Sequence, residues 1–195
     1  MKPLLALSTL LTLSTSSQVP LGDVKPDLHR LHLPVMPAAP LNQPSVALAD
    51  ILGTQRSLTS FSSFARMDPS TDERLSDLGT NTTVLAPLNS AVDALPRKPW
   101  EQPGDYAALG ADAYEGDKGQ DRARTNMRKF VEAHLVPESP WGENDKVKTV
   151  GGKEVWWVEK DGKRVVMPDE IEVEHVVGQV GNGELWILKG VLNYA

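Results

Sequence analysis

The chain has 195 residues, 40% of them apolar and 24% charged, with a formal net charge of −6. That composition belongs to a globular protein with room for one domain and something extra, and its negative balance argues against phosphate-backbone binding, so no nucleic-acid partner is expected. Cysteine is absent, which excludes disulfides, thiolate metal sites, iron–sulfur clusters and a thiol nucleophile together, and leaves four histidines for imidazole chemistry.

Residues 1–17 have the order of a secretory signal peptide. Lys2 supplies a positive charge, an apolar run from Leu4 to Leu13 is broken only by Ser and Thr, and the small residues Ser14 to Ser17 follow. The run is too short to cross a hydrocarbon core of about 30 Å, so removal near residues 15–20 is expected rather than a membrane anchor. No later run reaches the ~18–20 apolar residues of a spanning helix. The end of the chain, Gly190 to Ala195, carries neither a lipid-anchor tail nor a Lys-Asp-Glu-Leu-type retrieval signal.

Residues 18–44 read as a proline-rich linker. Pro20, Pro26, Pro34, Pro37, Pro40 and Pro44 each fix φ and remove a donor, so extended chain without helix or inner strand is expected. His29 and His32 sit there beside Asp27, but no third or fourth ligand lies close in sequence, and no metal site is expected.

Residues 45–195 read as one domain. Ala47, Leu48, Ile51 and Leu52 share a helical face, and Leu58, Phe61, Phe64 and Ala65 repeat the pattern, with Gly53 expected between the two helices. Leu75 and Leu78 predict a further helical turn ending at Gly79. The β-branched and apolar segment Thr82 to Pro87 predicts a buried strand. Asn89 or Ser90 is suited to cap a short helix through Val92. Prolines and glycines make residues 96–120 loop-like, a possible insertion and a variable contact region.

Asp121 is expected to open a helix whose Met127, Phe130, Val131 and His134 share one face. Strands dominate afterwards. Gly151-Gly152 is a turn, Glu154 to Glu159 a strand, and Asp161-Gly162 a tight hairpin returning through Arg164 to Met167. Ile171, Val173, His175 and Val177 alternate with Glu172, Glu174 and Val176 as a half-buried strand. After the turn Gly181-Asn182-Gly183, Leu185 to Leu188 forms the last strong strand. Helices first and strands last predict an α+β domain.

Several segments carry a family resemblance. Thr83-Val84-Leu85-Ala86-Pro87-Leu88-Asn89-Ser90-Ala91-Val92 resembles the first signature of fasciclin domains, and Asn182-Gly183-Glu184-Leu185-Trp186-Ile187-Leu188-Lys189-Gly190-Val191-Leu192 resembles the second. Phe130 to Val136 is similar to the histidine region between them, Thr149 to Gly152 to the family's glycine turn, and Leu48 to Leu52 with Phe61 to its opening helices. Leu88 stands where the family usually has Thr or Ser, Ala133 where an aromatic often precedes the histidine, Trp186 in place of a second histidine, and Lys189 in place of an acidic residue. The resemblance implies a wedge of two packed β-sheets with flanking helices, and binding or adhesion rather than catalysis. Its short, single-domain form resembles the small fungal fasciclin proteins and implies a vacuolar address, with secretion or the cell wall as the alternative.

Reactive constellations are few. There is no Gly-x-Ser-x-Gly elbow, phosphate loop or His-Glu-x-x-His. Asp169, Glu170, Glu172 and Glu174 offer a carboxylate pair for a glycan hydrolase, against a solvated strand face as the plainer reading. His134 on an apolar face reads as a core histidine. Trp156, Trp157 and Trp186 suggest either a sugar-stacking platform or core packing, and Trp186 is expected inside the last strand. Asn81-Thr82-Thr83 is the one Asn-x-Ser/Thr sequon, so Asn81 is the expected glycosylation site and must face solvent. No cofactor is expected, catalytic residues are not assigned, and the expected partner is a protein or a polysaccharide.

Overall fold

The computed structural model of the protein describes residues 41–43 and 45–194. The signal-like residues 1–17 and the His29/His32 pair lie outside the described residues.

The helical layer comes first, as the periodicity predicts. Helices α1 (Leu48–Thr54), α2 (Thr59–Met67) and α3 (Pro69–Ser76) bury Leu48 and Leu52, then Phe61 and Ala65, then Thr71 and Leu75. Gly53 lies inside α1, not between helices; the break falls at Gln55 and a 3-10 turn over Arg56–Leu58. Asp68 caps α3 by accepting from the Thr71 amide at 3.0 Å, and Pro69 occupies the first helical position, where its missing N–H is not needed. The helix stops before Gly79 because the Asp77 carboxylate accepts from the Gly79 amide and the Thr80 hydroxyl, which leaves Leu78 half exposed.

Strand β2 (Thr82–Pro87) matches its predicted span. It pairs antiparallel with the short β3 (Leu135–Val136) and parallel with the last strand, β8 (Gly183–Leu188). All six of its residues are buried because both edges are paired and both faces covered. Val84 and Ala86 pack toward the helices with Leu185 and Ile187, while Leu85 packs the other way with Trp186 and Leu188. The period-2 pleat thus assigns alternate residues of one apolar run to two different cores.

Strands β4 (Val147–Lys148), β5 (Glu154–Lys160), β6 (Lys163–Met167) and β7 (Ile171–Val180) complete the order β3-β2-β8-β7-β6-β5-β4. At the β5–β6 hairpin, Asp161 and Gly162 have φ of 53° and 72°, the paired positive values that a type I′ turn requires. Trp157 on β5 and Trp186 on β8 have ring centroids 5.6 Å apart although β6 and β7 separate those strands in the ladder. Such contact requires the ladder to fold over so that its two halves pack face to face. The predicted α+β wedge is therefore built as one hydrogen-bonded path turned back on itself, with helices along one side.

Four local expectations are corrected. Leu41–Gln43, inside the predicted linker, form strand β1, parallel to Gly178–Val180 of β7; this proline-free triplet meets a free edge beyond the last β6 partner. Residues 96–120 are not simply loop: α4 (Asn89–Asp93) ends before them, and after bends and turns they contain α5 (Pro103–Leu109), a 3-10 turn (Gly110–Tyr114) and the start of α6 (Gly116–Glu132). The Tyr114 hydroxyl binds this region together, accepting from the Gln102 amide at 2.7 Å and donating to Asp105 at 2.8 Å, and a Cβ at Gly119 would lie only 2.2 Å from the Tyr114 carbonyl carbon. Asn89 does not cap α4. Its side chain accepts from the Ser60 amide and donates to Arg56 O and Thr59 Oγ1, each at 3.0 Å, and so secures the start of α2 instead. His175 is exposed, because a register shift between Val173 and His175 resets the predicted alternation of β7.

Candidate functional site

The carboxylate cluster sits at the start of β7 and in the turn before it; Asp169, Glu170 and Glu172 each face a different neighbour, whereas Glu174 is exposed and its side chain makes no hydrogen bond or ion pair among the described residues. Asp169 accepts from Lys153 Nζ at 2.6 Å and from the Asn193 amide at 2.8 Å, which ties the chain's last described turn to the strand layer. Glu170 pairs with Lys160 at 2.8 Å across the β5–β6 hairpin. Glu172 Oε1 takes both Lys163, at 3.0 Å, and Lys189. Hydrogen bonds from these lysines hold the Glu170 and Glu172 carboxyls below the usual carboxylate range. Neither is poised as a proton donor, and general-acid chemistry needs one carboxyl raised rather than both lowered.

His134 lies just past the end of α6, wholly buried against Phe130 and Phe61. Nδ1 lies 2.7 Å from Phe130 O, which can only accept, so Nδ1 carries the proton; Nε2 accepts from the Leu192 amide at 3.1 Å. Both ring nitrogens are thus used to join the helix end to the C-terminal segment. Burial pushes the imidazole down to about 4 from 6.5.

That shift has a definite sign. A histidine whose folded value lies below its unfolded value takes up protons preferentially when unfolded, so stability is full above about pH 6.5 and falls until about pH 4. The loss expected from His134 is about 2 kcal/mol by pH 5 and about 3 kcal/mol by pH 4. Glu132, whose half-buried carboxyl is pushed up by desolvation, opposes this trend. Denaturant titrations at pH 7, 5 and 4 check the expectation; a curve flat from pH 7 to 5 contradicts it.

The three tryptophans of the strand layer make no sugar-stacking platform. Trp157 and Trp186 lie in the core between the packed halves, and Trp186 is fully buried. Trp156 is half buried, and the Lys146 ammonium covers its ring at 4.6 Å. Trp141, from the segment after β3, completes the cluster, with its ring 5.5 Å from that of Trp186.

Asn81 is exposed immediately before β2, while Thr82 and Thr83 turn inward. Among the described residues no group of three or more His, Asp or Glu is placed to hold a metal ion, and no helix is long and apolar enough to cross a membrane. Two side chains that sequence reading left unassigned prove central. Asn182, read as a turn residue and as the start of the second fasciclin-like segment but given no role, is fully buried and joins two helices to the β7–β8 turn. Arg164, read only as a strand residue, lies over two tryptophan rings. Its signal in sequence was slight: a cation on the same strand face as Val166.

No family profile matches the chain. Curated relatives do. It is 58% identical over 150 residues to a FAS1 domain-containing protein of Neurospora crassa, covering 76% of this chain and 66% of that protein. It is 47% identical over 148 residues to one from Aspergillus fumigatus, covering 75% and 63% of the two chains. With one from Emericella nidulans it shares 46% over 154 residues, covering 78% and 63%. The chain therefore spans just under two thirds of the length of these relatives. Among solved structures it matches a FAS1 domain pair from the insect cell adhesion molecule fasciclin I, with a TM-score of 0.54 and 13% identity, over 77% of this chain and 51% of that one. At that identity the likeness is one of fold.

Proposed function

Because the chain belongs to the fasciclin (FAS1) domain family, we propose that it is a non-catalytic interaction module, of adhesion type, for a protein or polysaccharide partner in the secretory pathway. One observation carries this reading: the buried histidine and three of the four clustered carboxylates are already engaged in holding the fold. His134 spends both nitrogens on backbone groups, and Asp169, Glu170 and Glu172 each bind a lysine. The neighbouring fold in a cell adhesion molecule agrees with it.

The test pairs binding with turnover. The purified chain, immobilised, is expected to retain a defined partner or glycan that free domain competes away, without converting it. Multiple-turnover hydrolysis of a chromogenic glycoside, abolished by Glu172→Gln, would overturn the reading in favour of a hydrolase.

Entry into the secretory pathway through residues 1–17 is part of the same proposal, with the vacuole as the first destination and the cell exterior or wall as the alternative. N-terminal sequencing of native protein is expected to begin near residues 15–20; an intact Met1 on protein from a secretory organelle would contradict it. Glycosylation of Asn81 follows from that route, and the residue's exposure supports it. Endoglycosidase is expected to increase the mobility of the native protein but not of an Asn81→Gln variant, and an unchanged native band would refute the modification.

A further inference from the structure

The β7–β8 turn demands a particular pair of neighbours. At position 182 it needs an amide: the buried Asn182 side chain accepts from the Leu48 amide and donates to Leu75 O and Asp77 O. At position 183 it needs glycine. Gly183 has φ of 149° and is paired on both sides, with Val180 of β7 and Thr82 of β2, and a Cβ there would overlap the Thr82 carbonyl oxygen. Together they make the one Asn-Gly pair in the chain.

An Asn-Gly pair is chemically labile wherever the chain is free to bend, because glycine has no side chain to hinder attack on the amide before it. The Gly183 amide nitrogen, having given its proton to solvent, attacks Asn182 Cγ. The N–Cγ bond forms, the Cγ–Nδ2 bond breaks, and Nδ2 takes a proton from solvent and leaves as ammonia. Water then opens the five-membered imide at one carbonyl to give aspartate or at the other to give isoaspartate. One water is consumed and one ammonia released, with no change of oxidation state. In the folded domain these atoms are held off that path. The carboxamide is engaged by three backbone groups of α1 and the end of α3. The Gly181 amide donates to Val46 O, and Asn182 O accepts from the Thr82 amide, each at 2.9 Å, so the backbone is fixed as well.

We propose that Asn182 is a deamidation site that the fold keeps closed, and that its conversion in the unfolded chain prevents the domain from regaining full stability. Aspartate would set a charge against Leu75 O and Asp77 O. Isoaspartate would add a methylene to the main chain, within a two-residue turn whose backbone is pinned to Val46 and Thr82. The fold thus carries a labile pair that it cannot exchange for a safer one, and protects it only while folded. Time spent unfolded is then lost by chemistry, not only by aggregation.

The test incubates the intact chain at pH 8 across a series of guanidinium chloride concentrations. Mass spectrometry of the tryptic peptide spanning residues 165–189, in which Asn182 is the one asparagine, reads the conversion. Conversion is expected to follow the unfolding curve. In buffer it is expected to be at least about a hundredfold slower than in the unfolded chain, because domains of ordinary stability are unfolded for about 10⁻³ of the time or less. Trp186→Ala leaves the pair intact and is expected to shift the unfolding and conversion curves to lower denaturant together. Converted chain, returned to buffer at pH 7, is expected to show a lower unfolding midpoint than chain held unfolded for the same time at pH 5, where the Gly183 amide keeps its proton. Equal rates in folded and unfolded chain, no conversion in the unfolded chain, a conversion curve that Trp186→Ala leaves unmoved while unfolding shifts, or an unchanged midpoint after conversion would each overturn the proposal.

Discussion

Trp186→Ala is expected to destabilise the domain by about 3–5 kcal/mol, the range for removing a large buried aromatic from a core. Trp186 is fully buried on β8, opposite Leu85 of β2 and Val176 of β7. Its ring fills the space between the packed halves, 5.5 Å from Trp141 and 5.6 Å from Trp157, with Arg164 across it. Neighbours drawn from four separate segments cannot all move inward, so the cavity is expected to persist rather than collapse. The indole N–H also donates to Glu184 at 2.9 Å, a bond the alanine variant loses. A domain of typical stability, ~5–15 kcal/mol, would lose a third or more of it. Urea denaturation of the variant measures the effect, and a loss below about 1 kcal/mol, typical of exposed positions, would contradict the placement of this ring.

Asn182→Ala is expected to cost a comparable amount through a different mechanism. The Asn182 side chain is fully buried in the β7–β8 turn. Its carbonyl accepts from the Leu48 amide at 2.8 Å, and its amide donates to Leu75 O at 2.9 Å and Asp77 O at 3.1 Å. One residue therefore satisfies the opening amide of α1, which has no side-chain cap of its own, and carbonyls at the end of α3. Alanine leaves the Leu48 amide and Leu75 O unpaired, while Asp77 O keeps the Thr80 amide at 3.2 Å; at about 1–3 kcal/mol for each unpaired group that water cannot reach, a total of about 2–5 kcal/mol is expected. Asn182→Asp keeps the acceptor for Leu48 but sets a negative charge against two carbonyl oxygens, and is expected to be at least as damaging. Thermal unfolding separates the outcomes: a fall of about 10 °C or more is expected for both variants, and a near-native aspartate variant would show that the carbonyl contacts contribute little.

Both residues were visible in the sequence, but to different degrees. Trp186 stands in a continuous apolar run, and its burial follows from that run together with the family resemblance. Asn182 opens the second fasciclin-like segment, but nothing in the chain around it, a turn between two glycines, marks it as buried. Its partners lie more than a hundred positions away, and only the meeting of the β7–β8 turn with two helix ends turns a polar side chain into a buried joint.

The same division holds across the domain. Patterns of short range were legible: the helical periodicity of Leu48 to Ala65, the strand Thr82 to Pro87, the Asp161-Gly162 hairpin and the burial of His134 all follow from spacing and local conformational preference. Such preferences act between residues a few positions apart, where the chain itself enforces proximity. The order of strands, the pairing of β1 with β7, the helices within residues 96–120 and the separate lysine partners of Asp169, Glu170 and Glu172 were not legible. Each depends on groups brought together from distant positions: Tyr114 with Asp105 and Asn126, Lys153 with Asp169, Lys189 with Glu172. The sequence by itself determined which residues would leave water and in which local shape. Tertiary structure decided which polar groups would find partners, because partner choice is a matter of distance and burial that exists only once the layers have packed.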